Sequence, residues 1–370
     1  MRYSQIKLHG ADVRLAHFDI NRNEVHAMIT CQAGHDARQQ IGDMILAEKE
    51  LSQRLGMNAV FKRYLLSDAT NQSGLLPEHD HCAVSVIQQA PLNGSKAACL
   101  VIYQQNASFV SIGNGAWRDN SGRIWMGDNG SVPAADSKTM TEGYLEQLGD
   151  ILSASGGSLK DHCVRTWFYV RDVDNNYAGV VSGRNEVFAR HGLTADTHFI
   201  ASTGIAGQCA DPTRLVAFNA FADTALKESQ VRFLYGNTHL NPTSEYGVAF
   251  ERGTAVDYGD RRHVYISGTA SIDNKGNIVA PGDIVAQTDR MFENIAVLLK
   301  EGGCSWNDVA HMIVYLRDTA DHGIVSRILG ERFPDIPQTV VLAPVCRPGW
   351  LIETECFAIR HIDNNEYAPF

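Results

Sequence analysis

Near its carboxy terminus the chain reads Gly302-Gly-Cys-Ser-Trp-Asn-Asp-Val-Ala-His-Met-Ile-Val-Tyr-Leu-Arg-Asp318. An earlier segment aligns with it without gaps and reads Gly156-Gly-Ser-Leu-Lys-Asp-His-Cys-Val-Arg-Thr-Trp-Phe-Tyr-Val-Arg-Asp172. Each segment follows a helical pattern and predicts a strand that ends in Tyr-x-Arg-Asp. The similarity extends backwards to residues 108–124 and 263–278, where a strand leads into an Asp-Asn-x-Gly turn typical of a hairpin. A period of about 150 residues indicates a duplicated domain and not a solenoid.

The alignment also extends forwards, where Thr197–Gly207 parallels Thr339–Gly349. Each copy predicts the order strand, strand, helix, strand, helix, strand, strand. In the second copy we expect the first helix to begin after Asp283 as N-cap and to end at Gly302. The second helix, near residues 321–333, should end before Pro334. This pattern predicts an α+β fold of duplicated domains, in which helices back mixed β-sheets.

Four segments follow from these matches. Residues 1–105 form an amino-terminal α/β segment, with a helix over 36–55 and strands at 59–68, 82–88 and 98–104. This segment is open to interpretation as a degenerate third repeat that lacks its opening hairpin. Residues 106–207 are the first copy and residues 263–370 the second. Residues 208–262 are expected to connect them and to carry loops of the site, because connections of that length are often functional.

The composition restricts the class of protein. The 370 residues are 44% hydrophobic and 20% charged, as in a globular protein, and 42 acids against 32 bases give a net charge of −10. This charge argues against a nucleic-acid-binding surface. No apolar run is long enough for a membrane helix, and the start lacks the apolar core of a signal peptide, so we expect a cytoplasmic protein without membrane contact.

Metal and cofactor chemistry is not predicted. The eight cysteines contain no Cys-x-x-Cys pair, which is typical of reduced thiols and not of a zinc site or a disulfide framework. The stretch Glu78-His-Asp-His-Cys82 contains ligand types that bind metals. It lies where a loop enters a strand, however, and alternate residues of a strand point in opposite directions.

Two acids in the last predicted strand are the most informative site candidates. Residues 350–359 alternate so that Glu353 and Glu355 share a face with Leu351, Phe357 and Ile359. A buried carboxyl group would have a raised pKa, which suits a general acid. A solvated outer face would account for the same pattern, and the sequence leaves both interpretations open.

The second copy resembles the YjgF/RidA family, whose domain is a helix-backed mixed sheet that assembles as trimers. The matching residues are Ile266-Ser-Gly, Pro281-Gly-Asp283, Gln287, Asn294, Gly303, Tyr315-Leu-Arg-Asp318 and Ile352-Glu-Thr-Glu355. The family usually has an arginine that binds a substrate carboxylate two residues after the proline that follows the second helix. Thr339 occupies that place, which argues against simple imine deaminase activity.

Segments along nearly the whole chain resemble the chorismatase family, two-domain relatives of RidA that remove the enolpyruvyl group of chorismate as pyruvate. They are Gln89–Lys96, Arg165–Asp174, Ala201–Gly207, Thr238–Thr243 and Phe250–Thr254. One subtype of the family forms 3-hydroxybenzoate. It is distinguished by a glycine before the second domain and a cysteine seven residues before the catalytic glutamate. Gly259, Cys346 and Glu353 occupy what look like these positions.

The resemblance implies a cofactor-free chorismatase that forms 3-hydroxybenzoate and pyruvate, with Glu353 protonating the enolpyruvyl group and Cys346 shaping the pocket or acting as a nucleophile. Chorismate has two carboxylates, which require cations. The candidates for substrate binding are Arg347, Arg165, Tyr169, Arg171, Tyr235 and Gly259. Because the first copy has Gly204, Ile205 and roughly Asp211 in place of Cys346, Arg347 and Glu353, we expect a single site between the two copies.

Three alternatives stay open. The first is a chorismate hydrolase that gives a trans-dihydroxycyclohexadiene carboxylate and pyruvate. The second is a RidA-like imine deaminase or metabolite-binding protein. In the third, Arg165 and Arg171 are surface residues or contact a neighbouring subunit. The chain is either a monomer or a homo-oligomer, since packing between copies could replace the trimer of the single-domain proteins.

Overall fold

The computed structural model describes residues 1–20, 23–78, 80–128, 130, 132 and 134–370, with the side chain of Tyr246 excepted. The described residues form three six-stranded sheets. No helix of this part of the chain is long and apolar enough to cross a membrane.

The first sheet is built from residues 2–104. Its elements are β1 (Arg2–Leu8), β2 (Ala11–Phe18), β3 (Glu24–Thr30), α1 (Ala37–Leu55), β4 (Asn58–Leu66), α2 (Ala69–Gln72), β5 (Ala83–Gln88) and β6 (Ala97–Gln104). Helix α1 begins at an Asp36 cap, whose side chain accepts from the Gln39 amide, and ends at Gly56 in the left-handed conformation. The expected lack of an opening hairpin is wrong, because β1 and β2 pair antiparallel over their full length.

The second sheet is built from residues 109–223. Its elements are β7 (Phe109–Gly113), β8 (Ala116–Asp119), β9 (Arg123–Met126), α3 (Ser137–Ala154), α4 (Leu159–His162), β10 (Cys163–Val170), α5 (Val173–Arg190), β11 (Ala201–Ala206) and β12 (Val216–Asp223). Strand β12 lies in the expected connector, yet it pairs with both β10 and β9 at the centre of this sheet.

The third sheet is built from residues 231–361. Its elements are β13 (Val231–Leu234), β14 (Gly253–Asp257), β15 (Arg261–Ala270), α6 (Ile284–Glu301), β16 (Val309–Leu316), α7 (His322–Arg332), β17 (Gln338–Leu342) and β18 (Ile352–His361). The predicted cap of α6 at Asp283 and its end at Gly302 are confirmed. Residues 208–262 are therefore not one connector, since they complete the second sheet and begin the third.

All three sheets have the same strand order when the strands of each sheet are counted along the chain. In the first sheet this order is β1-β2-β3-β6-β4-β5. In each, the fourth and fifth strands pair in parallel, as β4 with β5, β10 with β11 and β16 with β17. The predicted α+β class of repeated YjgF/RidA-like domains with mixed sheets is confirmed. Three copies are present, since residues 1–105, which were open to interpretation as a degenerate third repeat, form a sheet with the same strand order as the other two.

A shared irregularity aligns the copies residue by residue. The fourth strand of each sheet shifts register once against its antiparallel partner, so that Phe61, Arg165 and His311 are equivalent. Trp167 then lies opposite Thr203 as Ile313 lies opposite Thr339, which makes Thr203 the counterpart of Thr339. The predicted match of Thr197 with Thr339 is wrong.

The same alignment corrects the counterpart of the candidate acid. Glu353 lies opposite Tyr315, and Ala217 lies opposite the equivalent residue Tyr169. The second sheet therefore has Ala217, and not Asp211, in the position of Glu353. The first sheet has Ala98, which lies opposite Leu65.

The long helices cover one face of each sheet, and the other faces meet in the middle of the molecule. Apolar residues of α1 and the first sheet form one core, and those of α3, α5 and the second sheet form another. A central cluster contains residues from all three sheets, among them Phe61, Trp167 and Phe357. The strands are buried on both faces as a result, which is why β6, β10, β12 and β16 are buried throughout.

Candidate functional site

A cavity lies between the second and third sheets, with an empty volume of about 510 Å³ that includes space open to solvent. Helix α5 and strand β11 form one wall, and β15, β18 and the loop before β18 form the other. The cavity is lined by Tyr177, Arg184, Ser202, Gly204, Val248, Phe250, Arg252, Gly268, Ala270, Cys346, Arg347, Trp350 and Glu353.

Glu353 is buried in this wall, with 5% of its surface exposed. Its strand β18 runs between β15 and β16, so that the residue lies opposite both Ala270 and Tyr315. The register of β15 shifts between Ile266 and Thr269. The carboxylate occupies the space beside Gly268, where a Cβ atom would lie 2.1 Å from Glu353 Oε1.

Burial and, to a smaller extent, the neighbouring Glu355 carboxylate raise the pKa of Glu353, which reaches about 8 although Arg165 and Arg252 act in the opposite direction. Both effects disfavour the charged form, since the cavity wall gives little solvation and a second negative charge repels the first. The side chain is therefore mainly protonated at neutral pH. It is a carboxylic acid that can donate a proton into the cavity.

Glu355 lies two residues further along β18 and is held by groups from the two other sheets. Arg63 Nη1 in β4 donates to its Oε1 at 3.1 Å, and Arg165 Nη2 in β10 donates to its Oε2 at 2.8 Å. Thr203 Oγ1 in β11 donates to Oε2 at 2.6 Å, and Trp167 Nε1 lies 3.0 and 2.9 Å from the two oxygens. All these partners donate hydrogen bonds to the Glu355 carboxyl group, and the two arginines carry positive charge.

Three arginines line the cavity around Glu353. Arg184 in α5 is 1% exposed, and its Nε and Nη2 have no hydrogen-bond partner among the described residues. Arg252 donates through Nη2 to the Asn241 carbonyl at 3.1 Å. The guanidinium of Arg347 lies 5.1 Å from the ring centre of Trp350. A buried guanidinium is costly to desolvate, and an anion in the cavity would offset that cost.

Cys346 faces the same cavity and interacts with the Tyr177 hydroxyl. Burial raises the pKa of the thiol to about 12, and the nearby Glu353 contributes in the same direction. A thiol is a good nucleophile only as the thiolate. The environment of Cys346 therefore favours a role in shaping the pocket over one in covalent catalysis.

The structure brings Glu353, Cys346 and Arg347 together, as the sequence suggested. Arg165 lies behind the cavity wall, where it pairs with Glu355. Tyr169 is fully buried in the centre of the molecule, where the centre of its ring lies 5.5 Å from the Arg63 guanidinium. These two residues are neither surface residues nor cavity-lining residues. They support the site from within.

Three candidates lie elsewhere. Arg171 is half-buried beyond the end of β10 and donates to the Pro212 carbonyl. Tyr235 is 40% exposed and lines a neighbouring depression that shares Arg252 with the cavity. Gly259 precedes β15 and is covered by the chain terminus, where its amide donates to Ala368. The cavity adjoins the other end of β15, so the rise per residue of a strand places Gly259 roughly 30 Å from the cavity. Gly259 is therefore not in the pocket, where it was expected.

Sequence reasoning missed several residues of the site. Tyr177 and Arg184 lie seven positions apart in α5, a spacing that places both on one face of a helix and could have identified them. Arg252 lies within the segment 250–254 that carried the family resemblance. Arg63 and Thr203 had no signal, because their shared partner Glu355 lies far away in sequence.

A metal centre has no support in the part of the chain described. No group of three or more histidine, cysteine or acidic side chains is arranged to hold an ion there. In the metal-like stretch 78–82, His79 lies outside the described residues. Asp80 and Glu48 both pair with Lys62, at 2.7 and 3.0 Å.

Comparison with known proteins places this geometry in context. A family model described as endoribonuclease L-PSP matches residues 252–360. A RutC family protein of Pyrococcus abyssi is 34% identical over 99 residues, which are 26% of this chain and 78% of that protein. The 3-aminoacrylate deaminase RutC of Acinetobacter baylyi is 36% identical over 72 residues, 20% of this chain and 57% of that protein. A crystal structure of a chorismatase matches 81% of this chain and 93% of its own with a TM-score of 0.66 and 17% identity, which shows a common fold.

Proposed function

This chain belongs to the RutC family, and we propose that it is an enzyme that cleaves chorismate to 3-hydroxybenzoate and pyruvate in the cavity between the second and third sheets. The observation that carries the proposal is a buried carboxylic acid, Glu353, among three arginines. The whole-chain likeness in fold to a chorismatase supports the same assignment.

Glu353 has the properties that cleavage of an enol ether requires. Protonation of the terminal methylene carbon converts the enolpyruvyl group into an oxocarbenium ion. This step is slow and needs a positioned acid with a pKa near neutrality. The pKa of Glu353, raised to about 8 by burial and by Glu355, keeps the proton on the acid until substrate is bound.

The cations of the cavity suit a substrate with two carboxylates. Arg184 and Arg347 are on opposite walls, from α5 and from the loop before β18, and Arg252 adds a third guanidinium. Arginine is the preferred partner of carboxylates because its planar fork donates two parallel hydrogen bonds. We propose that Arg184 binds one carboxylate and Arg347 the other.

The product follows from what displaces pyruvate. If a ring hydroxyl of the substrate does so, its proton is released, the ring rearranges to 3-hydroxybenzoate, and no water is consumed. If water adds to the oxocarbenium ion, pyruvate leaves and a dihydroxycyclohexadiene carboxylate remains. We propose the internal route because Cys346, the residue that the resemblance associates with the 3-hydroxybenzoate subtype, lines the same cavity as Glu353. Gly259 contributes no support for this choice.

The proposal is tested by incubating the purified protein with chorismate, followed by chromatography and quantification of pyruvate. We expect equimolar 3-hydroxybenzoate and pyruvate. A cyclohexadiene diol with pyruvate would replace the proposed product by that of a hydrolase and leave the acid's role in place.

A parallel incubation with an imine or enamine substrate addresses deaminase activity, because of the identity with the 3-aminoacrylate deaminase. We expect no ammonia release. Thr203 and Thr339 stand at the equivalent position of two copies, and neither supplies the cation that the RidA family uses there. Ammonia without pyruvate release from chorismate would overturn the chorismatase proposal.

A further inference from the structure

A second groove lies between the third and first sheets, with an empty volume of about 820 Å³ that includes space open to solvent. Helix α7 and β17 form one wall, and β1, β2, β3 and the loop before β6 form the other. Among the residues that line the groove are Asp12, Arg14, Thr30, His322, Gln338 and Thr339.

This groove is the counterpart of the Glu353 cavity in the repeated architecture. Both lie between the second helix and fifth strand of one copy and the second and third strands of the next. Counted along the paired strands, Arg14 corresponds to Arg252, Thr30 to Ala270 and Gln338 to Ser202. Each site therefore has an arginine at the same position of its wall.

The two sites differ in their acids. Ala98 and Leu100 in β6 stand in the positions of Glu353 and Glu355. The groove therefore has no proton donor at the position of Glu353. It is suited to bind a ligand but not to carry out the protonation proposed for the Glu353 cavity.

The charges of the groove define a ligand. Arg14 is half-buried and has no hydrogen-bond or ion-pair partner within the described residues. Asp12, on the same strand face, pairs with Lys7 at 3.6 Å. His322 at the start of α7 is also half-buried, and burial lowers its pKa, which favours the neutral ring. Arg14 is thus the cation available to an anion.

Gln338 supplies a second, independent feature. Its side chain is 8% exposed, and Nε2 donates to the Phe333 carbonyl at 2.6 Å. This bond fixes the orientation of the amide, and Oε1 has no hydrogen-bond partner among the residues described. A buried carbonyl oxygen without a donor is costly, and a ligand with an N–H or O–H group would satisfy it.

We propose that this groove binds a small carboxylate that also carries a hydrogen-bond donor, an α-amino or α-hydroxy acid, with the carboxylate on Arg14 and the donor on Gln338. The site is distinct from the Glu353 cavity and does not depend on the reaction proposed there.

The test uses ligand-observed NMR on the full chain with three probes: L-alanine, L-lactate and acetate. Alanine or lactate should bind more tightly than acetate, which lacks the donor, and whichever of the two binds better identifies the amino or the hydroxy acid. Arg14→Met should weaken binding at least tenfold. Arg327→Met, on the exposed side of α7, should leave it unchanged.

Two further variants make the result specific. In the Arg184→Met background, which removes a carboxylate partner of the cavity between the second and third sheets, Arg14→Met should still weaken binding at least tenfold, which separates the groove from that cavity. Gln338→Met should remove the preference over acetate, and it also serves if Arg14→Met fails to fold. The proposal is overturned if neither alanine nor lactate binds at millimolar concentration, if acetate binds equally well, or if Arg184→Met abolishes binding.

Discussion

At the scale of single residues, two glutamates on one strand face have opposite environments. Glu353 borders the cavity that three arginines line, and burial with the nearby Glu355 charge raises its pKa despite Arg165 and Arg252. Glu355, in contrast, accepts hydrogen bonds from two arginines, a threonine and a tryptophan. Burial beside a second carboxylate disfavours the charged form of a carboxyl group, which is how a site obtains an acid that holds its proton near neutral pH. The fixed charge of Glu355 in turn raises the pKa of Glu353.

Glu353→Gln should reduce the kcat for pyruvate release by about a hundredfold or more, because a positioned general acid typically contributes ~10²–10⁴-fold. The circular dichroism spectrum should not change, since glutamine fills the same space. Glu331→Gln, on the exposed face of α7, is the matched control and should have normal activity. Near-normal release by Glu353→Gln would remove Glu353 from its role and direct attention to Glu355.

The pH dependence follows from the same acid. Because Glu353 must be protonated to act and burial raises its pKa to about 8, kcat/KM should be level below that pH and fall as the pH rises through it. Above the transition the decline should approach about tenfold per pH unit, as for loss of a single essential proton. Initial rates of pyruvate release between pH 6 and about 10 measure this. A rate that rises over the same interval would contradict the assignment of an acid.

At the scale of elements, the irregularity in β15 makes room for the acid of β18. Gly268 lies within the register shift, and the Glu353 carboxylate occupies the space that a side chain would take. The lack of a side chain at Gly268 thus gives the Glu353 carboxylate its space beside β15. This is a case in which glycine is required for close approach and not for an unusual backbone conformation.

Gly268→Ala should therefore impair catalysis more than stability. The new methyl group would lie 2.1 Å from Glu353 Oε1, and the flexible end of that side chain must move away. A displacement of about 1 Å of a catalytic group can cost about a hundredfold in rate. Gly323→Ala in α7, where no atom lies within 4 Å of the new Cβ, is the control and should retain activity. The rate of pyruvate release is measured for both variants, and Tm is measured as a check on folding. Equal activity of the two variants would contradict the proposed role of Gly268.

At the scale of the whole molecule, three copies of one sheet enclose a centre that is partly charged. Glu355 from the third sheet joins Arg63 of the first and Arg165 of the second. Glu24 of β3 is a second junction, since it bonds His26 at 3.0 Å, His263 at 3.1 Å and Arg261 at 3.1 Å. Burial opposes ionisation there, but His263 and His26 hold the pKa of Glu24 well below its usual range.

Arg63→Met should destabilise the protein by about 3–5 kcal/mol, because removal of one partner leaves the other charge of a buried pair insufficiently compensated. Urea unfolding followed by tryptophan fluorescence measures the loss. Arg54→Met removes an exposed ion pair in α1 and should leave the urea midpoint unchanged. If both variants unfold at the same urea concentration, the central pair does not hold the sheets together.

Much of the local structure could be predicted from the sequence, and the reasons differ by element. The caps Asp283 and Gly302 bounded α6 because they satisfy the helix ends by short-range hydrogen bonds. The amino-terminal segment, residues 1–105, was not fully recognised as a repeat because its strands β1 to β3 carry no turn motif like that of residues 119–122 and 273–276. The forward alignment failed at Thr197 because the connections after the second helices differ in length, which only strand pairing reveals.

The sequence by itself predicted that the chain repeats an α+β unit, which depends on periodicity, and that Glu353, Cys346 and Arg347 belong together, which depends on the family resemblance of a short segment. The tertiary structure alone decided that Glu353 is buried with a raised pKa, that Arg184 lines the same cavity and that Arg165 pairs with Glu355. Proton affinity depends on desolvation and on charges brought close in space. Those neighbours come from strands of other sheets, at separations along the chain that no local pattern encodes.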